Sequence, residues 1–358
     1  MTEAIRVLVV DDSPFVCRLL AAQLRESGVD VVGMAYDGQH AVAMVKELRP
    51  DAITLDLGMP GMGGLEVLDL VMRDCPTPVV VISGVSRKAA SVTLQALDRG
   101  AVDFVLKYCP GADTDPDALR REIVSKVRLA AGVKVIRSLP NRLRSTLRPR
   151  IGGSSGGKPM PANLPGGVVV IGASTGGPLA LRELLENLAA DFSAALIVVQ
   201  HMPATFTAVL AAQLDRQLSL AVKEAEDGDR LQPGLVLVAP GDYHLLARSD
   251  GTVEIATGPT IAGHCPSIDV TMQSVAQVFG PRAKGVILTG MGRDGALGLI
   301  AIRARGGQTF AQDAITCVVN GMPRHAIACG AVDHIGPPEE IARLLSKTVS
   351  IRFQEAHA

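Results

Sequence analysis

The chain has 358 residues, 47% of them hydrophobic, and 35 Lys+Arg against 36 Asp+Glu, which suits two domains with apolar cores and excludes global disorder. The balanced charge, with aromatics at 3% and no Trp, argues against a nucleic-acid partner, whether bound electrostatically or by base stacking. The opening MTEAIRVLVVDD has no positive n-region or small-residue cleavage site, the apolar runs are too short for a bilayer, and the six cysteines show no zinc-like spacing, so the expectation is a cytoplasmic chain with reduced thiols and no membrane insertion.

Residues 5–10 (IRVLVV) read as a buried strand and 14–27 as an amphipathic helix. Further strands are predicted at 29–34, 51–56, 78–83 and 101–106, with helices at 38–48, 64–73 and 87–99. Such alternation implies a parallel sheet covered on both faces. It stops near residue 132. Residues 133–165 are rich in Gly, Pro and Ser and carry six basic residues between 134 and 150 with no acidic ones, which is linker composition. Alternation resumes with strands at 167–172, 194–199, 235–239 and 285–290 and helices at 178–190, 205–217 and 294–305. The second half therefore reads as having a largely parallel sheet, and the turn-rich, hairpin-like stretch 219–262 suggests some antiparallel strand there. The expected fold class is therefore α/β in both halves, with pieces at 1–132, 133–165 and 166–350.

The first half places chemistry at successive strand ends. Asp11 and Asp12 follow the first strand and Asp56 ends the third. In a parallel sheet these ends face one crevice, and carboxylates gathered there repel unless a hard cation such as Mg²⁺ sits among them. Asp56 can also act as a nucleophile toward phosphorus. Ser83 can bond a phosphoryl oxygen and Lys107 can pair with its charge. This constellation resembles the response-regulator receiver domain over about 1–125. The resemblance implies a flavodoxin-like fold, phosphorylation of Asp56 by a histidine kinase, and Mg²⁺ held by Asp11, Asp12 and Asp56. It further implies Ser83, Phe104 and Lys107 as switch residues. Gly58, Gly63 and Tyr108 depart from the usual receiver pattern.

In the second half, Gly172-Ala173-Ser174-Thr175-Gly176 fits G-x-S-x-G between a buried strand and a helix. Small residues let the strand turn sharply and expose the serine, and Thr175 N–H at the helix start is a candidate oxyanion donor. A dinucleotide fingerprint and a P-loop both fail, since G-x-G-x-x-G and G-K-[ST] are absent. A nucleophilic serine needs a base and the base an orienter. His201, directly after ALIVVQ, ranks first as base, with His244 second and His264 as a loop residue lining the cleft. Asp294, in LTGMGRDG, ranks first as acid, ahead of Asp313 and of Asp269, which is read as a loop residue.

The motifs IGASTGG, QHMP, APGDYHLL, HCPSIDV, LTGMGRDGA and NGMP, in this order behind a receiver-like half, resemble the chemotaxis protein-glutamate methylesterase family. The resemblance implies hydrolysis of glutamyl methyl esters on methylated chemoreceptors, in many members with deamidation of glutamines. It assigns Ser174 as nucleophile, His201 as base and Asp294 as orienter, places Thr175 and Met291 near the oxyanion, and requires no cofactor in the catalytic half. Cys265 stands where the family usually has arginine. The competing expectation is a non-catalytic signalling adaptor that keeps the hydrolase fold.

Overall fold

The computed structural model describes residues 4–107, 116–133, 166–261 and 263–355. The first half runs β1 (Arg6–Val10), α1 (Pro14–Glu26), β2 (Asp30–Ala35), α2 (Gly38–Leu48), β3 (Ala52–Asp56), α3 (Gly64–Asp74), β4 (Val79–Ser83), α4 (Arg87–Asp98), β5 (Asp103–Leu106) and α5 (Pro116–Ala131). Its five strands pair in parallel in the order β2-β1-β3-β4-β5, the flavodoxin-like arrangement expected. The helix starts follow local chemistry. Ser13 accepts from Val16 N–H ahead of Pro14, Asp37 from His40 N–H and Ser86 from Ala89 N–H, each side chain satisfying an end donor that has no intrahelical partner.

The second half contains β6 (Val168–Ala173), α6 (Gly177–Glu186), β7 (Ala195–Gln200), α7 (Ala204–Gln217), β8 (Ala221–Glu224), β9 (Leu235–Val238), β10 (His244–Ala247) and β11 (Val253–Ala256). It continues with α8 (Ile268–Phe279), β12 (Ala283–Ile287), α9 (Ala296–Ala304), β13 (Gln308–Gln312), α10 (Met322–Ala328), β14 (His334–Gly336) and α11 (Pro338–Glu355). Seven strands form one sheet in the order β14-β13-β12-β6-β7-β9-β8, parallel at every pairing. The chain leaves β6 toward β7 on one side and returns to β12 on the other. That reversal opens a crevice beyond the carboxyl ends of β12, β6 and β7, where α/β ligand sites form.

The antiparallel strand expected within 219–262 is the hairpin β10-β11, which stands apart from the parallel sheet that β8 joins at its edge. Other expectations are corrected. The strand placed at 285–290 runs over Ala283–Ile287, so Leu288–Gly290 lie past its carboxyl end. Asp269 lies in the first turn of α8, not in a loop. The linker expected over 133–165 lies outside the described residues apart from Val133, as does Tyr108.

The two halves pack directly. Asp98 at the end of α4 pairs with Arg182 of α6 at 2.8 Å and accepts from Gln213 of α7 at 2.6 Å. The Phe104 and Phe206 rings stack with centroids 4.5 Å apart. One buried apolar cluster runs from Leu94, Leu97 and Phe104 to Leu181, Leu185 and Phe206. Among the described residues, no helix is long and apolar enough to cross a membrane.

Candidate active site and phosphoacceptor pocket

β6 ends at Ala173 and the chain turns into α6 within a few residues. Two of its glycines show why small residues are needed here. Gly176 sits at φ +75°, in the left-handed region. At Gly290 an added Cβ would lie 2.8 Å from the Ser174 Cβ, so only glycine lets the two segments approach. Ser174 N–H donates to the Thr289 carbonyl at 3.0 Å, fixing the serine in a half-buried position.

His201 leaves the end of β7, its N–H donating to the Ala173 carbonyl at 3.1 Å. Gln200 Nε2 donates to the carbonyls of Ser174 and His201, tying the two strand exits together. The His201 ring is buried. Its Nε2 lies 2.9 Å from Asp294 Oδ2, while its Nδ1 is buried with no hydrogen-bond partner. Nδ1 is therefore the nitrogen left for a serine hydroxyl, and that bond is not formed in this conformation.

Asp294 follows β12 and is nearly fully buried. Besides His201 it accepts from Ser267 Oγ at 3.0 Å, Ile268 N–H at 2.7 Å, Asp269 N–H at 3.0 Å and Gly295 N–H at 3.0 Å. Burial opposes its ionisation. The hydrogen bond and charge of His201, with the Asp269 and Ile268 amides, outweigh that and hold the carboxyl well below the usual carboxylate range. Two of those amides open α8, so the helix dipole adds to the same effect. Ser267 caps α8 as well, accepting from Val270 N–H. The sequence reading missed this helix and with it the anchor of the acid. The signal was present: a Ser cap at 267 followed by apolar residues at 268, 272, 275, 276 and 279.

The rivals fall elsewhere. Ser267 N–H donates to His244 Nδ1 at 3.2 Å, so Nε2–H donates to the Pro259 carbonyl at 3.1 Å, and His244 braces the loop beneath α8. Asp313 caps its own turn by accepting from Ile315 and Thr316 N–H. Asp269 accepts from Gly298 N–H, and its carboxyl is pushed up to about 6 by burial, against that bond and with the repulsion of Asp294. His264 does reach the site: its ring lies parallel to His201, centroids 3.8 Å apart and planes 6° apart.

Above Ser174 and His201 is a cavity of about 710 Å³ whose walls come from both halves, including Thr175, Met291, His264 and Cys265 on one side and Phe104, Leu119 and Lys126 on the other. Thr175 Oγ1 donates to Asp103 Oδ2 across the interface. Met291 is 44% exposed and its Sδ receives Ser125 Oγ–H at 3.5 Å. Burial, and then Asp242, push the Cys265 thiol up, so it lines the cavity as a neutral thiol.

In the first half, Asp11, Asp12 and Asp56 offer oxygens all within 4.8 Å of one another. Lys107 Nζ lies 2.9 Å from both Asp11 Oδ2 and Asp56 Oδ2. Burial raises the Asp11 carboxyl, against the Ser13 N–H and Lys107. Asp11 Oδ2 is buried and, beyond the ammonium contact, has no well-directed hydrogen bond. A buried carboxylate oxygen served only by an ammonium shared with Asp56, within a cluster of three carboxylates, suits a hard oxygen-seeking cation. Ser83 Oγ contacts Thr93 Oγ1 of α4 at 2.6 Å and donates to the Gly84 carbonyl, so it is not turned to Asp56 here. Phe104 is buried beneath the Lys126 ammonium, which lies 5.3 Å from its ring centroid.

Residues 169–345 match the CheB methylesterase family model and residues 7–115 the response regulator receiver domain model. The chain is 42% identical to the protein-glutamate methylesterase/protein-glutamine glutaminase of Symbiobacterium thermophilum, over 96% of this chain and 97% of that one. It is 44% identical to the protein-glutamate methylesterase/protein-glutamine glutaminase 1 of Caulobacter vibrioides, over 92% and 93% respectively. The solved catalytic domain of the Thermotoga maritima CheB methylesterase superposes with a TM-score of 0.50 at 42% identity, covering 51% of this chain and 98% of that one.

Proposed function

The chain belongs to the CheB methylesterase family, with a receiver domain preceding the catalytic one, and from that premise we propose that it hydrolyses glutamyl methyl esters on methylated chemoreceptors under control of Asp56 phosphorylation. The observation that carries this reading is the buried Asp294–His201 pair, whose free Nδ1 lies in the same cleft as Ser174. In this reading His201 Nδ1 takes the Ser174 proton as Oγ attacks the ester carbonyl. Asp294 holds Nε2–H and stabilises the imidazolium. The oxyanion forms at the start of α6, where Thr175 N–H and the helix dipole favour negative charge, with Met291 at the rim. His201 returns the proton to the departing methanol, and water repeats the steps to free the glutamate. A primary amide enters the same cycle with ammonia as leaving group, which accounts for deamidation by the same residues.

The receiver supplies the control. Its phosphodonor is a histidine kinase, and Asp56 is the acceptor. Mg²⁺ held by Asp11, Asp12 and Asp56 would screen the incoming phosphoryl charge. Lys107 lies 2.9 Å from Asp56, in place to pair with the phosphoryl group. Turning Ser83 toward that group would break its contact with Thr93 of α4. α4 carries Asp98, which grips α6 and α7, so its displacement loosens the receiver over the cavity. A pathway built from such parts operates in the cytoplasm.

Methanol release from methylated receptor tests this directly, with wild type and Ser174→Ala, each with and without a small phosphodonor and Mg²⁺. We expect release that rises with phosphodonor in wild type and is absent in Ser174→Ala. Equal background release from both proteins would move the assignment to a non-catalytic adaptor.

A further inference from the structure

The mechanism uses one edge of the His201 ring for Asp294 and the other for Ser174. It says nothing of the ring's face, and that face is occupied. His264 lies flat against it, with centroids 3.8 Å apart and planes 6° apart. The two rings come from different elements: His201 ends β7, while His264 precedes α8. His264 is held by its backbone, which exchanges two hydrogen bonds of 3.0 Å with Ile261. Three residues on, Ser267 begins the anchorage of Asp294. One short segment, 264–269, therefore supports both the plane of the base and the carboxylate that orients it.

We infer that His264 is a positioning residue for His201, a neutral aromatic plate that fixes the plane of the base and stacks against the imidazolium formed during each acyl transfer. The inference rests on the serine-esterase reading. A single bond to Asp294 leaves the His201 ring free to pivot about that contact, and a parallel ring at van der Waals distance removes the pivot. A neutral π-face also attracts a cation, whereas a second protonated ring at this separation would repel one. His264 meets that requirement, because burial, followed by the charge of His201 and against the pull of Asp294, brings its pKa down to about 4. His264 has no proton-transfer step: Asp294 occupies one His201 nitrogen, and the nitrogen left open belongs to the serine.

The test compares His264→Ala, His264→Leu and His264→Phe in the full chain, activated by phosphodonor and Mg²⁺. Two rates are read, methanol release from methylated receptor and covalent labelling of Ser174 by a fluorophosphonate. Labelling needs the base but not the receptor, so it separates failure of the stack from failure of the substrate assignment. For His264→Ala we expect kcat and the labelling rate to fall roughly 10–100-fold, the range for a misplaced reacting group, with KM within about twofold of wild type. His264→Phe keeps an aromatic plate and stays within about threefold of wild type on both rates, the scale of a small residual misplacement. His264→Leu fills space without a π-face and falls between the two. A role confined to folding would lower apparent kcat and the fraction of Ser174 labelled through loss of folded enzyme, leaving the labelling rate constant and KM unchanged, or would impair Phe as much as Ala. Ser174 labelling at wild-type rate in His264→Ala, or equal losses in Ala and Phe, would overturn the proposal. Labelling of wild type without methanol release would count against the receptor ester alone, and a deficit of His264→Ala in that same assay would still support the stack.

Discussion

Both halves of the chain gather carboxylates beyond the carboxyl ends of a parallel sheet, and they hold them in opposite ways. Asp294 is saturated: an imidazole, a hydroxyl and three amides converge on its two oxygens. Asp11, Asp12 and Asp56 crowd one another, a single ammonium is shared by Asp11 and Asp56, and a buried oxygen of Asp11 has no directed hydrogen bond beyond it. The first arrangement is preorganised, with its charge stabilised before substrate arrives, which is what an orienting carboxylate needs. The second is incomplete, which suits a site that exchanges a cation and a phosphoryl group. A saturated site resists change and an unsatisfied one responds to it, so the catalytic and regulatory halves divide along that line.

The largest effect should come from the saturated site. In Asp294→Asn the Nε2–H of His201 loses its charged acceptor, and kcat should fall by about 10⁴, the scale seen when the orienting carboxylate of a serine triad is neutralised. Asp294→Ala adds a folding defect, because the Ile268, Asp269 and Gly295 amides and the Ser267 hydroxyl lose an acceptor in a buried setting, each worth about 1–3 kcal/mol if left unpaired. Urea unfolding with methanol release checks both. An alanine variant as stable as wild type would mean that water replaces the carboxylate and that the site is less closed than it looks.

The unsatisfied site should respond to ligand instead. Mg²⁺ at ten times its Kd should stabilise wild type by about 1.4 kcal/mol through mass action. Asp11→Asn removes a ligand and should abolish that gain while leaving the metal-free protein at least as stable, since a repelling carboxylate is gone. Asp56→Asn should eliminate stimulation by phosphodonor and spare the basal rate. Thermal melts with and without Mg²⁺, paired with methanol assays, separate these outcomes. A metal-free Asp11→Asn protein much less stable than wild type would show that the Lys107 contacts satisfy the cluster.

How much of this contrast the sequence carries depends on whether a residue acts through its place on a strand. Ser174, His201, Asp11, Asp56 and Lys107 all lie at or just past strand ends, and β-branched runs such as VVVI and ALIVV announce those ends without ambiguity. The supporting parts act across the fold. The α8 amides reach Asp294 from about 25 positions away, the His264 ring is 63 positions from His201 by their numbering, and Asp103 meets Thr175 from the other half of the chain. Period and spacing describe neighbours along the chain, so they can mark the acid and the helix over 268–279, but not that the helix's first amides reach the acid.

Between the two sites lies the interface, where a moderate effect is expected. Asp98 is partly buried and pairs with Arg182 and Gln213. Burial raises its carboxyl, with Arg182 opposing. Asp98→Ala should raise the unphosphorylated methanol-release rate several-fold and leave the phosphodonor-stimulated rate unchanged. A fall in the unphosphorylated rate would instead make the α4 contact activating.

The smallest effect tests the contrast within the saturated site itself. Asp294 and Asp269 sit at the same helix start with opposite shifts. Asp294 is held below its unfolded value, so its contribution is present above the ordinary carboxylate range and is lost as pH falls through the folded value. Asp269 is raised to about 6, so its folded state favours the proton, and stability is lost as pH climbs from the ordinary carboxylate range through about 6. Asp269→Asn removes that loss and can still accept from Gly298 N–H through its amide oxygen. The variant should therefore melt at or near the wild-type temperature at pH 4.5 and a few degrees above it at pH 8. Melting curves at the two pH values decide the matter. A pH-independent difference would mean that the Asp269 effect is packing rather than charge, and that the α8 start stabilises both carboxylates alike.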